Sequence, residues 1–239
     1  MTFTDDLLFA ISSWQKGWRE DQEERHRISQ ELLHAIAGLD AHFKAVDSTC
    51  YRKRFLHQGE LVDIIIGDDK REGVVSWTVN KAFAERFKGL ERVDAVSGAI
   101  FEHKPASHEV VLNICSLWMD SCFVSAVEDF DRRHPDYARP LLNFRDQQGE
   151  VILNAPLKGS EIIALTGKSS PFDELCDCAG VAEGTRDDLF MRMVQSDIYA
   201  GELQYTSREG AQRVIANTVQ RMHEWIHTAA QGGDPAKDA

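Results

Sequence analysis

The stretch Val74-Val75-Ser76-Trp77-Thr78-Val79-Asn80-Lys81-Ala82-Phe83-Ala84-Glu85-Arg86-Phe87 changes hydrophobic period partway along. From Val74 to Val79 it is rich in β-branched and aromatic residues and reads as a strand. Alternation along that strand puts Ser76 and Thr78 on one face and turns Trp77 to the other, into the core. Asn80 then suits the N-cap of a helix over Lys81 to Lys88, and Gly89 suits its end. Phe83 and Phe87 stand one helical step apart, the spacing of a core-facing pair.

The same two signals recur outward from this stretch. Leu61 to Ile66, Ala99 to Glu102, Val110 to Ile114, Val151 to Leu153 and Ile162 to Leu165 are short, β-branched and bounded by polar or glycine residues, and are predicted strands. Before them, Thr4 to Val46 reads as helical, with Leu7, Leu8, Ile11, Trp14 and Trp18 at helical spacing and Thr4 as a cap. The mixed-sign run Arg19 to Arg27 is expected to be a solvated helix face. Leu117 to Arg132 is amphipathic and stops before Pro135. Later, Ser170-Pro171 opens a helix, Thr185 can cap Arg186 to Tyr199, and Thr206 with Glu209 forms a capping-box pattern for a helix reaching about Ala230. The tail from Gln231 to Ala239 has the composition of a disordered segment. Strands flanked by runs of helix predict an α+β fold. Its expected divisions are a helical segment over 1–47, a core over 48–168, and a helical segment with a tail over 169–239.

The chain has 239 residues, 43% hydrophobic and 28% charged, which fits an ordinary globular protein with a real core. Its formal net charge of -12 opposes nonspecific binding to nucleic acid or anionic lipid, which both need Lys and Arg to replace counterions. Arg52, Lys53, Arg54, Lys70 and Arg71 are the candidates for a local basic groove. No apolar run is long enough to span a bilayer, and the acidic N-terminus is unlike a secretory signal, so a cytoplasmic protein without membrane partners is expected. The five cysteines, Cys50, Cys115, Cys122, Cys176 and Cys178, are scattered and do not form a disulfide framework.

Three separated patches carry chemistry. They are Arg52 in Thr49-Cys50-Tyr51-Arg52, the Ser76-Trp77-Thr78 strand, and Glu150 in Gln147-Gln148-Gly149-Glu150-Val151-Ile152-Leu153. In that order and on strands, they resemble the Arg-Ser-Glu signature of ADP-ribosyltransferases, enzymes that split NAD and attach its ADP-ribose to an acceptor. The resemblance covers about Thr49 to Leu165. It implies a split, mostly antiparallel sheet pair with NAD in the cleft between, and says nothing specific about the helical N- and C-terminal flanks read from periodicity.

The chemistry suits the residue types. Cleaving NAD leaves an oxocarbenium-like ribose, which a carboxylate can stabilise, and a diphosphate, which the planar fork of an arginine can hold. By resemblance Arg52 holds the diphosphate, Ser76 orients the carboxylate, and Glu150 stabilises the cation. Thr78 and Phe83 complete the NAD-binding surface. Gln148, two residues before Glu150, meets the acceptor, and its identity leans away from arginine acceptors. The acceptor is a macromolecule, a protein first, and the helical flanks would cover the sheet or bind the acceptor or a regulatory partner. The middle motif departs from the Ser-Thr-Ser form, with Trp77 at its centre and Val79 after Thr78.

Rival motifs are weaker. Gly167-Lys168-Ser169 has Ile162 where a phosphate-binding loop needs its first glycine. Cys176-Asp177-Cys178 lacks zinc-knuckle spacing. His223-Glu224-Trp225-Ile226-His227 satisfies His-Glu-x-x-His, so a zinc metallohydrolase is a rival, though it lies at the chain end with little left to complete a site. No metal is therefore assigned. No Gly-x-Ser-x-Gly elbow is present. A noncatalytic partner-binding module on the same fold is the remaining alternative.

Overall fold

The computed structural model describes residues 3–17, 21–92, 94–145, 148–167, 172–196 and 204–230. Among them run the strands β1 (Cys50–Leu56), β2 (Val75–Thr78), β3 (Ser97–His103), β4 (Val110–Asn113), β5 (Glu150–Leu153), β6 (Ile162–Gly167) and β7 (Gln204–Tyr205). The α-helices are α1 (Asp5–Lys16), α2 (Gln22–Ala35), α3 (Lys81–Arg86), α4 (Ile114–Met119), α5 (Ser121–Arg133), α6 (Pro135–Phe144), α7 (Phe172–Cys178), α8 (Arg186–Gln195) and α9 (Arg208–Ala230). The fold is α+β, and every registered strand pair is antiparallel. Among the described residues no helix is long and apolar enough to cross a membrane.

The chain divides into two compact units with interleaved segments. The first comprises Met1–Arg52, Arg71–Ala84 and His103–Pro156, and the second Lys53–Lys70, Glu85–Glu102 and Leu157–Ala239. The boundaries expected near 47 and 168 do not coincide with this division, because strands from distant parts of the chain return to pair with one another.

In the first unit the strand order is β4-β5-β2-β1. β2 and β5 pair along their length, Val75↔Leu153, Ser76↔Ile152, Trp77↔Val151 and Thr78↔Glu150. All of β5 is buried. Its Ile152 joins one core with Leu7, Leu8, Ile11 and Trp14 of α1, Ile28 and Leu32 of α2, and Phe123, Val127 and Phe130 of α5. Burying each such side chain contributes roughly 1.5–3 kcal/mol, so α1 is part of the core. The helical reading of Thr4 to Val46 resolves into α1, α2 and a 3-10 turn at Ala41–Lys44. Thr4 caps α1 through Leu7 N–H, and Gly17 ends it at φ 79. Asp21 caps α2 through the N–H groups of Glu23 and Glu24. Arg27 pairs with Glu24 and Glu31 on an exposed face, as the mixed charges predict. Trp18 and Arg19 lie outside the described residues.

The amphipathic reading of Leu117 to Arg132 becomes α4 and α5, separated where Asp120 accepts from Cys122 and Phe123 N–H groups as a new cap. Pro135 does end α5, and it also begins α6 as a first-turn proline, a position where a missing N–H costs nothing.

In the second unit β3 pairs with β6 and β6 with β7. Here one expectation fails. Leu61 to Ile66 is a π-helical turn at Val62–Ile66, not a strand. Its amide ladder closes on Gly67, whose N–H donates to the Val62 carbonyl. Only Ile64 is buried, while Val62 and Ile66 face outward. The Ile64 carbonyl and Ile65 lie where a Cβ on Gly159 would stand, 2.8 and 2.9 Å away, so the turn packs on bare backbone. A short apolar run has no period that separates strand from turn. The last helix is α9, but Ser207 and not Thr206 meets its first turn, accepting from Gly210 N–H at 3.1 Å, while Thr206 Oγ1 accepts from Leu165 N–H at 3.0 Å. α9 buries Ala211 and Ile215 and leaves Trp225 and Ile226 exposed. Phe87 is 38% exposed, so it is not the core residue that its spacing suggests; Ala84 is the buried residue of α3. Lys168, Ser169, Ser170, Pro171, Tyr199 and the tail from Gln231 fall outside the described residues.

Candidate functional site

The first unit contains the three patches. In the β2–β5 register Thr78 stands opposite Glu150, so Ser76, two residues along, is the diagonal neighbour of Glu150 on the same face. Ser76 Oγ donates to Glu150 Oε1 at 2.5 Å. Gly149 makes this placement possible. It holds φ 55, and a Cβ there would meet Val79 Cγ2 at 3.0 Å. Thr78 Oγ1 donates to the Gln148 carbonyl and accepts from Asn80 N–H at 2.9 Å. Thr78 thus ties the Gln148–Gly149 turn to the start of α3. Gln147 lies outside the described residues. Asn80 caps as predicted, its Oδ1 accepting from Phe83 N–H at 3.1 Å. Phe83 is half-buried.

Arg52 meets the same strand by its backbone. Its guanidinium donates to the Ser76 carbonyl at 2.7 Å and to Glu72 Oε2 at 2.8 Å, the latter a largely buried ion pair. The other candidates for a basic groove also have acidic or carbonyl partners. Arg54 meets Glu60, Lys70 meets Asp63, and Lys53 donates to the Gly89 carbonyl. The charges of Arg54, Lys70 and Lys53 are thus satisfied locally.

The face that carries Ser76 and Glu150 is the one against which α1 packs, and this was not legible beforehand. Glu150 is 4% exposed. Its carboxylate accepts from Ser76 at Oε1, from Trp14 Nε1 at Oε1 (3.1 Å), and from Gln15 Nε2 at Oε2 (2.9 Å). Trp14 Nε1 also lies 3.0 Å from Ser76 Oγ. All three donors are neutral. Burial pushes the Glu150 carboxyl above the usual carboxylate range, and the bonds from Ser76, Gln15 and Trp14 pull it only partly back. Sequence reasoning placed Trp14 on the apolar stripe of the first helix but missed Trp14, Gln15 and Glu72 as partners of the site. The one available signal was an indole N–H, which needs an acceptor when buried.

Three cysteines lie in the same unit, Cys122 exposed, Cys115 half-buried and Cys50 buried. Burial pushes Cys50 up to about 12, with a smaller push from Cys115. Cys115 is raised by burial and then by the Glu150 charge. Both are held as thiols and are poor nucleophiles.

His223, Glu224 and His227 sit on the exposed end of α9, where Glu224 accepts from Gln220. Among the described residues no group of three or more His, Cys, Asp or Glu side chains is placed to hold a metal ion.

No family model, curated protein or solved structure matches this chain.

Proposed function

We propose that the chain is an NAD-dependent mono-ADP-ribosyltransferase that releases nicotinamide and passes ADP-ribose to a macromolecular acceptor. One observation carries this reading. Ser76 and Glu150, far apart in sequence, lie on paired strands with a 2.5 Å hydrogen bond from hydroxyl to carboxylate. Such a bond holds a carboxylate in one orientation, which a group that must meet a developing ribosyl cation requires. Arg52 is bonded to the Ser76 carbonyl and would supply the cation for the diphosphate. Gln148, in the turn before Glu150, would meet the acceptor.

The test is nicotinamide release from NAD by wild type and by Glu150→Gln, with a cell lysate as acceptor source. Release that falls by about a hundredfold or more in the variant, the scale of losing a principal electrostatic group, supports the proposal. Absence of both nicotinamide release and NAD binding, in wild type and variant alike, refutes it.

A second reading draws on the burial of Glu150 under α1. In a noncatalytic partner-binding module the Ser76–Glu150–Trp14–Gln15 network would serve only to fix α1 on the sheet. Partner binding would then persist in Glu150→Gln, with no turnover of NAD at any concentration.

A further inference from the structure

The chain's own side chains occupy the groups that NAD would engage. A ribose offers hydroxyl donors to a carboxylate, and Glu150 already accepts from Trp14 Nε1 and Gln15 Nε2. A diphosphate offers anionic oxygens to a guanidinium, and Arg52 already holds the Glu72 carboxylate. Trp14 is 2% exposed and reaches the carboxylate by its indole N–H edge. These substitutes come from two places, the last turn of α1 and the segment just before β2, and both lie in the first unit. Gly17 ends α1 directly after that turn in a left-handed conformation, and its N–H donates to the Ser13 and Trp14 carbonyls. Trp14 and Gln15 are therefore in the terminal turn, and opening that turn takes Trp14 out of the core it shares with Leu7, Leu8 and Ile11.

We infer that the last turn of α1, together with Glu72, is an autoinhibitory plug that must move before Glu150 and Arg52 can engage NAD; this rests on the proposed NAD chemistry. The plug imitates its ligand by hydrogen-bond type, with donors on the carboxylate and an anion on the arginine. Displacement is then an exchange of like bonds, and the residual barrier is the exposure of the Trp14 ring.

The test compares wild type with Trp14→Phe/Gln15→Ala/Glu72→Gln. The triple variant keeps aromatic bulk at position 14 but removes both donors and the anion. The expected result is nicotinamide release at least tenfold faster than wild type, returning to background when Glu150→Gln is added. Equal release by wild type and triple variant overturns the plug and leaves the NAD chemistry standing. No release and no NAD binding by either protein, with both folded by circular dichroism, overturns the NAD reading and the plug with it. Should the triple variant not fold, amide hydrogen exchange on the wild type decides. Faster exchange over residues 13–17 at saturating NAD supports the plug, and unchanged exchange there overturns it.

Discussion

Replacing Glu150 by glutamine should stabilise the protein at neutral and alkaline pH, whatever the site does. The carboxylate is buried, its three donors are neutral, and its affinity for a proton is raised mainly by that burial. A carboxyl whose folded pKa lies above its unfolded value binds more protons in the native state across that window. Stability therefore falls as pH rises through it, and the loss is complete above the folded pKa. The effective cost of burying an unpaired charge is several kcal/mol, and hydrogen bonds to a charged group return about 1.5–3 kcal/mol each. The three neutral donors offset that cost only in part, which is the direction the raised proton affinity of Glu150 records.

Glutamine removes the penalty and keeps the shape. Its carbonyl can take the place of Oε1, which accepts from both Ser76 and Trp14. Its amide would stand at Oε2, facing Gln15 Nε2. Gln15 Oε1 is buried without a hydrogen-bond partner, so a flip of that amide turns a donor clash into a new bond. The assay is urea denaturation of wild type, Glu150→Gln and Glu150→Ala at pH 5 and pH 8. Glu150→Gln should gain about 1–3 kcal/mol over wild type at pH 8, and the gain should shrink toward pH 5. Glu150→Ala, which strands three donors, should lose about 3–5 kcal/mol. A Glu150→Gln protein less stable than wild type at pH 8 would refute the reasoning, since the carboxylate would then be better paired than its neutral donors allow.

Other outcomes follow from the same neighbourhood. Trp14→Phe loses the indole N–H shared by Ser76 and Glu150 but keeps the buried ring, so it should cost about 1–2 kcal/mol by thermal or urea melts, whereas Trp14→Ala should cost about 3–5 kcal/mol. Gly149→Ala places a side chain on a left-handed backbone and 3.0 Å from Val79 Cγ2, and should destabilise by about 1–3 kcal/mol; an unchanged midpoint would mean that the turn relaxes freely. In thiol titration at pH 8, Cys122 and Cys178, both exposed, should react at once, and buried Cys50, pushed up to about 12, should react only on unfolding.

What the sequence made legible depended on contacts between neighbours in the chain. Alternation in Val75-Ser76-Trp77-Thr78 sent Trp77 to the core and kept Ser76 with Thr78, and Asn80 and Thr4 capped where their side chains allow. The convergence of Ser76 with Glu150 was anticipated by the resemblance alone, since short apolar strands do not by themselves select their partners. Leu61 to Ile66 misled for want of a period, since β-branching favours a strand but a glycine at 67 and another at 159 let the chain coil there.

The covering of the site could not be read, and the reason lies in how a strand presents its faces. Alternation establishes that Ser76 and Glu150 share a face, but the same pattern serves a face open to a ligand and a face under a helix. The difference is set by α1, about sixty residues before β2, whose apolar stripe Leu7, Leu8, Ile11 and Trp14 would read identically wherever it packed. Polar residues on a covered face then need partners from the covering element, and Trp14 and Gln15 meet that need. A carboxylate placed there for structure alone would be an expensive choice, since an apolar residue of similar volume fills a covered face at least as well. The presence of Glu150 at such a position, bonded to a strand hydroxyl as well as to its cover, is the physical ground for seeking chemistry beneath α1.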